Sequence, residues 1–255
     1  GVSGALADPQ LRVFAAGEEV AANDDWGVPA GGGASSGAAL AAAAAARVGA
    51  FPFPVGSADA AVLVTLPAGG YTAVVEGAGG ATGTGLVEAY EVGAEATRII
   101  NLATRGYADR AERQLVAGFV VEAPPGATRR VLLRVLGPSL ARPPFNLGGT
   151  LDDPELELRD ARGALLLRND DWSGDAEGGA SPANDFRPRV ATHGEKALFA
   201  TGRAPGNRRE PAVLVDLPAG AYTVIVRPFE LRSANPRLDQ PALPGVGIVE
   251  VYEID

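Results

Sequence analysis

Four blocks of this chain occur twice, in the same order. Residues 6–11 (LADPQL) return as 151–156 (LDDPEL), and the Asn-Asp-Asp-Trp at 23–26 returns unchanged at 169–172. Residues 63–72 (LVTLPAGGYT) return as 214–223 (LVDLPAGAYT), and 85–92 (GLVEAYEV) as 247–254 (GIVEVYEI). The offset between copies widens from 145 residues at the first block to 162 at the last. Order is kept while the spacers lengthen, as expected when one fold is written twice and its surface loops absorb the insertions.

Each copy reads as β-structure. Val62, Val64 and Leu66 alternate with outward positions, as do Val213, Val215 and Leu217. A Pro-Ala-Gly turn follows in both copies, with proline fixing φ and glycine easing the exit. The alternation then resumes at Tyr71, Ala73 and Val75, and at Tyr222, Val224 and Val226, which predicts a hairpin with one buried face. Residues 85–92 and 247–254, rich in β-branched residues and tyrosine, predict a closing strand. Aromatic residues make up only 6% of the chain, so the core must come from Val, Leu, Ala and Ile. With 34 glycines and 20 prolines to punctuate short strands, the expected class is all-β. The architecture expected is two tandem β-sandwich, jelly-roll-like modules. Residues 38–46 are almost pure alanine, which predicts a short helix over 37–48 in the first module, ending near Gly49. The matching stretch of the second copy, 174–196, is polar and predicts a long loop.

The copies are unequal. Residues 115–121 and 130–136 are both strand-like, and Pro124-Pro125-Gly126 predicts that they form a hairpin; nothing like it precedes the first copy. The domain reading is therefore 1–92 for a first, incomplete module and 93–255 for a second that includes the extra hairpin at 115–140. The alternation alone leaves open which module owns that hairpin. A module short of these strands would present an apolar face and a sheet edge with unpaired backbone groups, which proteins pair or cover. Three explanations stand: strand addition from another chain, an excerpt of a longer tandem array, or a first module that is simply smaller. Repeated head to tail, strand addition makes an open filament. Methionine is absent even at position 1, so Gly1 reads as a processed end or as the edge of a larger polypeptide.

The candidate metal residues are Asp8, Asn23, Asp24 and Asp25, with Asp153, Asn169, Asp170 and Asp171 in the second copy. Asp8 and Asp25 lie symmetrically about a turn near Ala16-Gly17, as do Asp153 and Asp171 about Gly163, so each pair should meet at the open end of a hairpin. Opposed like charges are unfavourable unless a cation or donors lie between them. Calcium takes six to eight oxygens and suits such a set. The competing reading makes the same residues turn and Asx caps. Trp26 and Trp172 read either as end-caps of the core with bonded N–H groups or as exposed binding residues. His193 is the sole histidine and falls in the predicted loop, and Ser139 sits in a Gly-Pro-Ser turn rather than a nucleophile elbow. Glu88/Glu250 and Glu91/Glu253 read as solvent-facing. No catalytic constellation stands out, and the chain is expected not to be an enzyme. A net charge of −9 argues against a nucleic-acid partner. No apolar run is long enough for a transmembrane helix.

The series Asn101–Gly106, Ala117–Val120 and Val131–Leu140, continuing through 151–158, 169–172, 217–223 and 247–252, resembles an uncharacterised tandem repeat of large secreted bacterial surface proteins, of the Verrucomicrobia and Acidobacteria type. Residues 101–255 cover one whole repeat and 1–92 the later two-thirds of another. Residues 153–172 and the Pro-Ala-Gly-x-Tyr-Thr turn are also similar to pre-peptidase C-terminal β-sandwich domains. The resemblance implies a secreted, extracellular, non-catalytic β module.

Together these readings predict a secreted structural subunit that assembles with copies of itself, by inter-subunit β-strand complementation, into an extracellular filament or surface fibre. The alternative is a calcium-stabilised adhesion or ligand-binding module of a larger cell-surface protein, with a glycan or surface partner.

Overall fold

The computed structural model describes residues 4–28, 38–93, 98–110, 113–173, 189–230 and 243–254. The chain divides into two compact units, Gly1–Ile99 and Ile100–Asp255.

The first unit contains β1 (Pro9–Ala15), β2 (Glu18–Asn23), α1 (Ala38–Val48) and β3 (Tyr71–Gly77). The strands form one antiparallel sheet in the order β2-β1-β3. Ala16 (φ 49°) and Gly17 (φ 88°) make the two-residue β1–β2 connection. Positive φ at both positions matches the twist of the flanking strands. The alanine run folds as the helix expected of it. Gly49 ends α1 in the left-handed conformation (φ 72°), and the Ala50 amide closes the last turn on the Ala45 carbonyl at 3.0 Å.

The second unit contains β4 (Asn101–Ala108), β5 (Leu115–Val121), β6 (Thr128–Leu136), β7 (Pro154–Asp160), β8 (Leu165–Asn169), β9 (Ala191–His193), α2 (Glu195–Ala200), β10 (Ala212–Pro218), β11 (Gly220–Pro228) and β12 (Gly245–Ile254). Two sheets result, β4-β12-β6-β10-β9 and β5-β11-β7-β8, with every strand pair antiparallel. They enclose one core. Leu133, Val135, Val215 and Val249 enter it from the first sheet, and Leu156, Leu158, Val224 and Val226 from the second, all at most 0% exposed. Each such side chain contributes about 1.5–3 kcal/mol. This unit is an all-β sandwich.

Several strand expectations are corrected. β10 and β11 do not pair as a hairpin: β10 pairs β6 and β9, whereas β11 pairs β5 and β7. Likewise β5 and β6 lie in different sheets. Both Pro-containing turns therefore carry the chain across the sandwich. Alternation marks a buried face, and a strand facing its neighbour across the core shows the same pattern as one hydrogen-bonded beside it. Part of the expected loop at 174–196 is regular, since β9 and the start of α2 fall there; 174–188 lies outside the described residues. The strand expected at 62–66 and the closing strand at 85–92 are not strands.

Candidate functional site

The two units share a frame down to individual hydrogen bonds. Leu11 pairs Asn23 as Leu156 pairs Asn169, and each hairpin carries an irregularity two residues on, at Val13/Phe14 and at Leu158/Arg159. Pro9 faces Gly77 and Ala15 faces Tyr71, just as Pro154 faces Pro228 and Asp160 faces Tyr222. The Ala78 amide donates to the Asp8 carbonyl, and the Phe229 amide to that of Asp153. Leu6 donates to Thr84 as Leu151 does to Val246. Tyr71 and Tyr222 both donate their hydroxyls back across the turn, to Pro67 at 2.7 Å and Pro218 at 2.9 Å. Gly83 and Gly245 occupy matching tight places: a Cβ would lie 2.6 Å from the Leu6 amide nitrogen in one and 2.5 Å from the Thr150 carbonyl carbon in the other.

The likeness stops where β4, β5 and β6 would begin to matter. In the second unit β6 lies between β12 and β10, and β12 also pairs β4. The corresponding segments of the first unit are 61–67 for β10 and 85–92 for β12. Among the described residues neither belongs to a strand ladder. Leu66, Leu86 and Val87 are exposed, while Val62, Leu63 and Val64 are half-buried. Leu66 is 38% exposed where Leu217 is 0%, and Val87 is 52% exposed where Val249 is 0%. The buried apolar side chains described in the first unit are only Val13, Ala21 and Ala44.

Two polar stations secure β6 in the second unit. At the first, Arg134 on β6 donates to Glu250, to the Tyr252 hydroxyl at 3.1 Å and to the Arg203 carbonyl at 2.8 Å. Tyr252 itself donates to Glu250 at 2.8 Å. Glu250, expected to face solvent, is 9% exposed; the arginine on the neighbouring strand compensates its burial. Burial alone would lower the Arg134 pKa, but Glu250 outweighs it and the net direction is up. At the second station, the carboxylate of Glu210, 0% exposed, receives the amides of Gly137 and Ser139 at 2.8 Å and the Ser139 hydroxyl at 2.6 Å. This fixes the turn that leaves β6.

The first unit keeps the acceptor half of both stations. Tyr90 donates to Glu88 at 3.1 Å, as Tyr252 does to Glu250. The Asp59 carbonyl accepts the Trp26 amide at 2.7 Å, as the Glu210 carbonyl accepts that of Trp172 at 3.2 Å, so Asp59 holds the place of Glu210. Sequence reasoning missed Glu210 and Arg134. The available signal was the offset of the third block, which places an acidic residue four positions before Leu63 and before Leu214.

Asp8, Asp25, Asp153 and Asp171 fall at the open hairpin ends. Burial first, and then the neighbouring charge of Asp171, raise the Asp153 pKa to about 7, with Asp170 and Asp152 adding and Arg209 opposing. Asp24 is exposed, while Asn23 and Asn169 are 8% and Asp170 2% exposed. Asn23 donates to the carbonyls of Asp25 and Val28, and its side-chain oxygen accepts the Ala61 amide at 2.9 Å, so that oxygen already serves the fold. Asn169 makes the matching bond to the Asp171 carbonyl at 2.7 Å. Among the described residues, no three Asp, Glu or His side chains converge as metal ligands would.

Trp26 and Trp172 donate their ring N–H to the carbonyls of Pro54 (3.2 Å) and Asn207 (3.1 Å). Trp172 packs on Leu132, Leu198, Ala212 and Leu214, a second apolar cluster apart from the core between the sheets. His193 lies on β9 rather than in a loop, and its Nε2 pairs Asp216 at 2.9 Å. Burial would raise the Asp216 pKa, but bonds from Arg130 and His193 bring it down. Ser139 is bonded to Glu210 and His193 to Asp216, so neither described bond joins serine to histidine. A cluster not foreseen lies on β7, where Glu157, 0% exposed, accepts from Arg159 (2.6 Å), Arg168 and Arg227.

Among the described residues no helix is long and apolar enough to cross a membrane. Comparison with protein-family models, with curated proteins and with solved structures returned no match.

Proposed function

We propose that this chain is a non-catalytic structural module of a secreted filament or surface fibre, joined to other modules of the same repeat by β-strand complementation. One observation carries the reading. The first unit repeats many of the hydrogen bonds that frame the second, yet its 61–67 and 85–92 segments lie outside any described ladder, with Leu66 and Val87 exposed where Leu217 and Val249 are buried. Strand-like segments outside any ladder, with exposed apolar side chains, favour strand addition, because main-chain bonds supply affinity and alternate side-chain pockets supply register.

Negative-stain microscopy and cross-linking of the protein as secreted by its host test this. Fibres are expected, with cross-links running from 59–66 or 85–92 to a different polypeptide. Monodisperse single chains, with those residues open to solvent labelling, would overturn it.

A further inference from the structure

The second unit serves as a template for whatever completes the first. On that basis, and resting on the assembly reading above, we propose that the first unit is an acceptor for one β6-type strand from a partner polypeptide. That strand carries alternate apolar residues, an arginine for Glu88 and Tyr90, and a Gly-x-Ser turn for Asp59.

Three correspondences specify the donor. First, Val131, Leu133 and Val135 are at most 4% exposed in the second unit and pack in the same core as Leu217 and Val249. Their counterparts in the donor would cover Leu66 and Val87. Second, Arg134 is seated by Glu250 and Tyr252, and the Glu88–Tyr90 pair is the same constellation two residues apart. A carboxylate and a phenol so placed favour a guanidinium, which is planar and offers several donors. Third, Glu210 receives the Gly137 and Ser139 amides and the Ser139 hydroxyl. Asp59, one methylene shorter, stands in the same place with its carbonyl already on Trp26.

The donor is not the β6 of an identical copy. That strand is held on both sides, with Arg130–Leu136 facing β12 and Thr128–Arg134 facing β10. Moving it to another copy's first unit would open its own sandwich and gain no pairing. The partner must offer a β6-type strand that is not already seated.

The test is amide hydrogen exchange on the full chain with a synthetic peptide of sequence 128–142 (TRRVLLRVLGPSLAR). Exchange in 85–92 is expected to slow at least about tenfold on saturation, while exchange in β12, whose neighbours are in place, stays unchanged. A peptide with Arg134→Glu should lose this effect, and so should the wild-type peptide on a Glu88→Ala, Asp59→Ala chain. Because a free apolar peptide can aggregate, a second form carries the 128–142 segment on a flexible Gly/Ser linker at the N-terminus. No added protection of 85–92 in either form overturns the proposal. Equal binding by the Arg134→Glu peptide overturns the arginine assignment, and protection in the fused form alone still supports the acceptor, because linkage only raises the effective concentration of the strand. Fibres in the native material alongside a negative peptide result would leave the assembly reading standing on a different contact.

Discussion

Glu210 holds Ser139 through both carboxylate oxygens, taking its amide at 2.8 Å on one and its hydroxyl at 2.6 Å on the other. A carboxylate buried to 0% exposure persists there because four donors converge on it, the others being the amides of Gly137 and Asn207. Glu210→Ala removes the charge and strands those donors, so a loss of about 3 kcal/mol is expected in denaturant unfolding of the second unit. Glu210→Gln keeps one acceptor and should lose less. Exchange rates in the first unit should not change with either variant.

The counterpart residues of the two units should respond differently to the same change. Leu217→Ala and Val249→Ala empty a closed core and should each cost about 2–4 kcal/mol. Leu66→Ala and Val87→Ala act on exposed side chains and should each cost under about 1 kcal/mol in the isolated chain. Equal costs in the two units, measured by denaturant unfolding, would show that the first unit is closed as tightly as the second.

Asp153 gives the second unit a pH dependence with a definite sign. Its folded pKa is raised, by burial first and then by Asp171, to about 7 from 3.8. The folded state therefore binds the proton more tightly than the unfolded one. Its contribution to stability is fully present below about 3.8 and is lost as pH rises to about 7. Asp153→Asn should flatten this slope and leave the variant more stable than wild type above about 7. The same repulsion is what a bound cation would relieve. A calcium titration above that pH, with melting temperature as readout, should raise wild type but not Asp153→Asn if these acids hold the ion.

Glu157 carries the opposite sign. Burial would raise its pKa, but Arg159, Arg168 and Arg227 outweigh burial and bring it below 4.5. Its contribution is present above the unfolded value and is lost as pH falls through the lower folded one. Glu157→Gln should cost about 3 kcal/mol near neutrality, because three guanidinium groups lose their shared partner. The cost should shrink on acidification, and acid titrations of both proteins followed by circular dichroism would show this.

Much of the local structure was legible in the chain. The β1–β2 hairpin follows from the turn read near Ala16-Gly17, α1 from an alanine run closed by Gly49, and the paired tyrosine turns from a repeated Pro-Ala-Gly-x-Tyr. Asn23 and Asn169 were readable as turn caps, and the bonded ring N–H of both tryptophans was readable too, because a buried side-chain N–H needs a nearby carbonyl whatever the topology. The reach of Arg134 to Glu250 across 116 positions, and of Glu210 to Ser139 across 71, had no such local signature.

By itself the sequence determined that one module is encoded twice, that its strands bury one face, and that the copies differ by the segment at 115–140. Only the tertiary structure decided that β4, β5 and β6 belong to the second unit, and that β6 lies between β12 and β10 while β5 pairs β11 in the opposite sheet. The physical reason is that side-chain alternation records which face of a strand is dry, whereas the choice of ladder neighbour rests on backbone groups that are the same in nearly every residue. That choice is made by closing one core over long loops, and among the described residues of the first copy no such ladder forms.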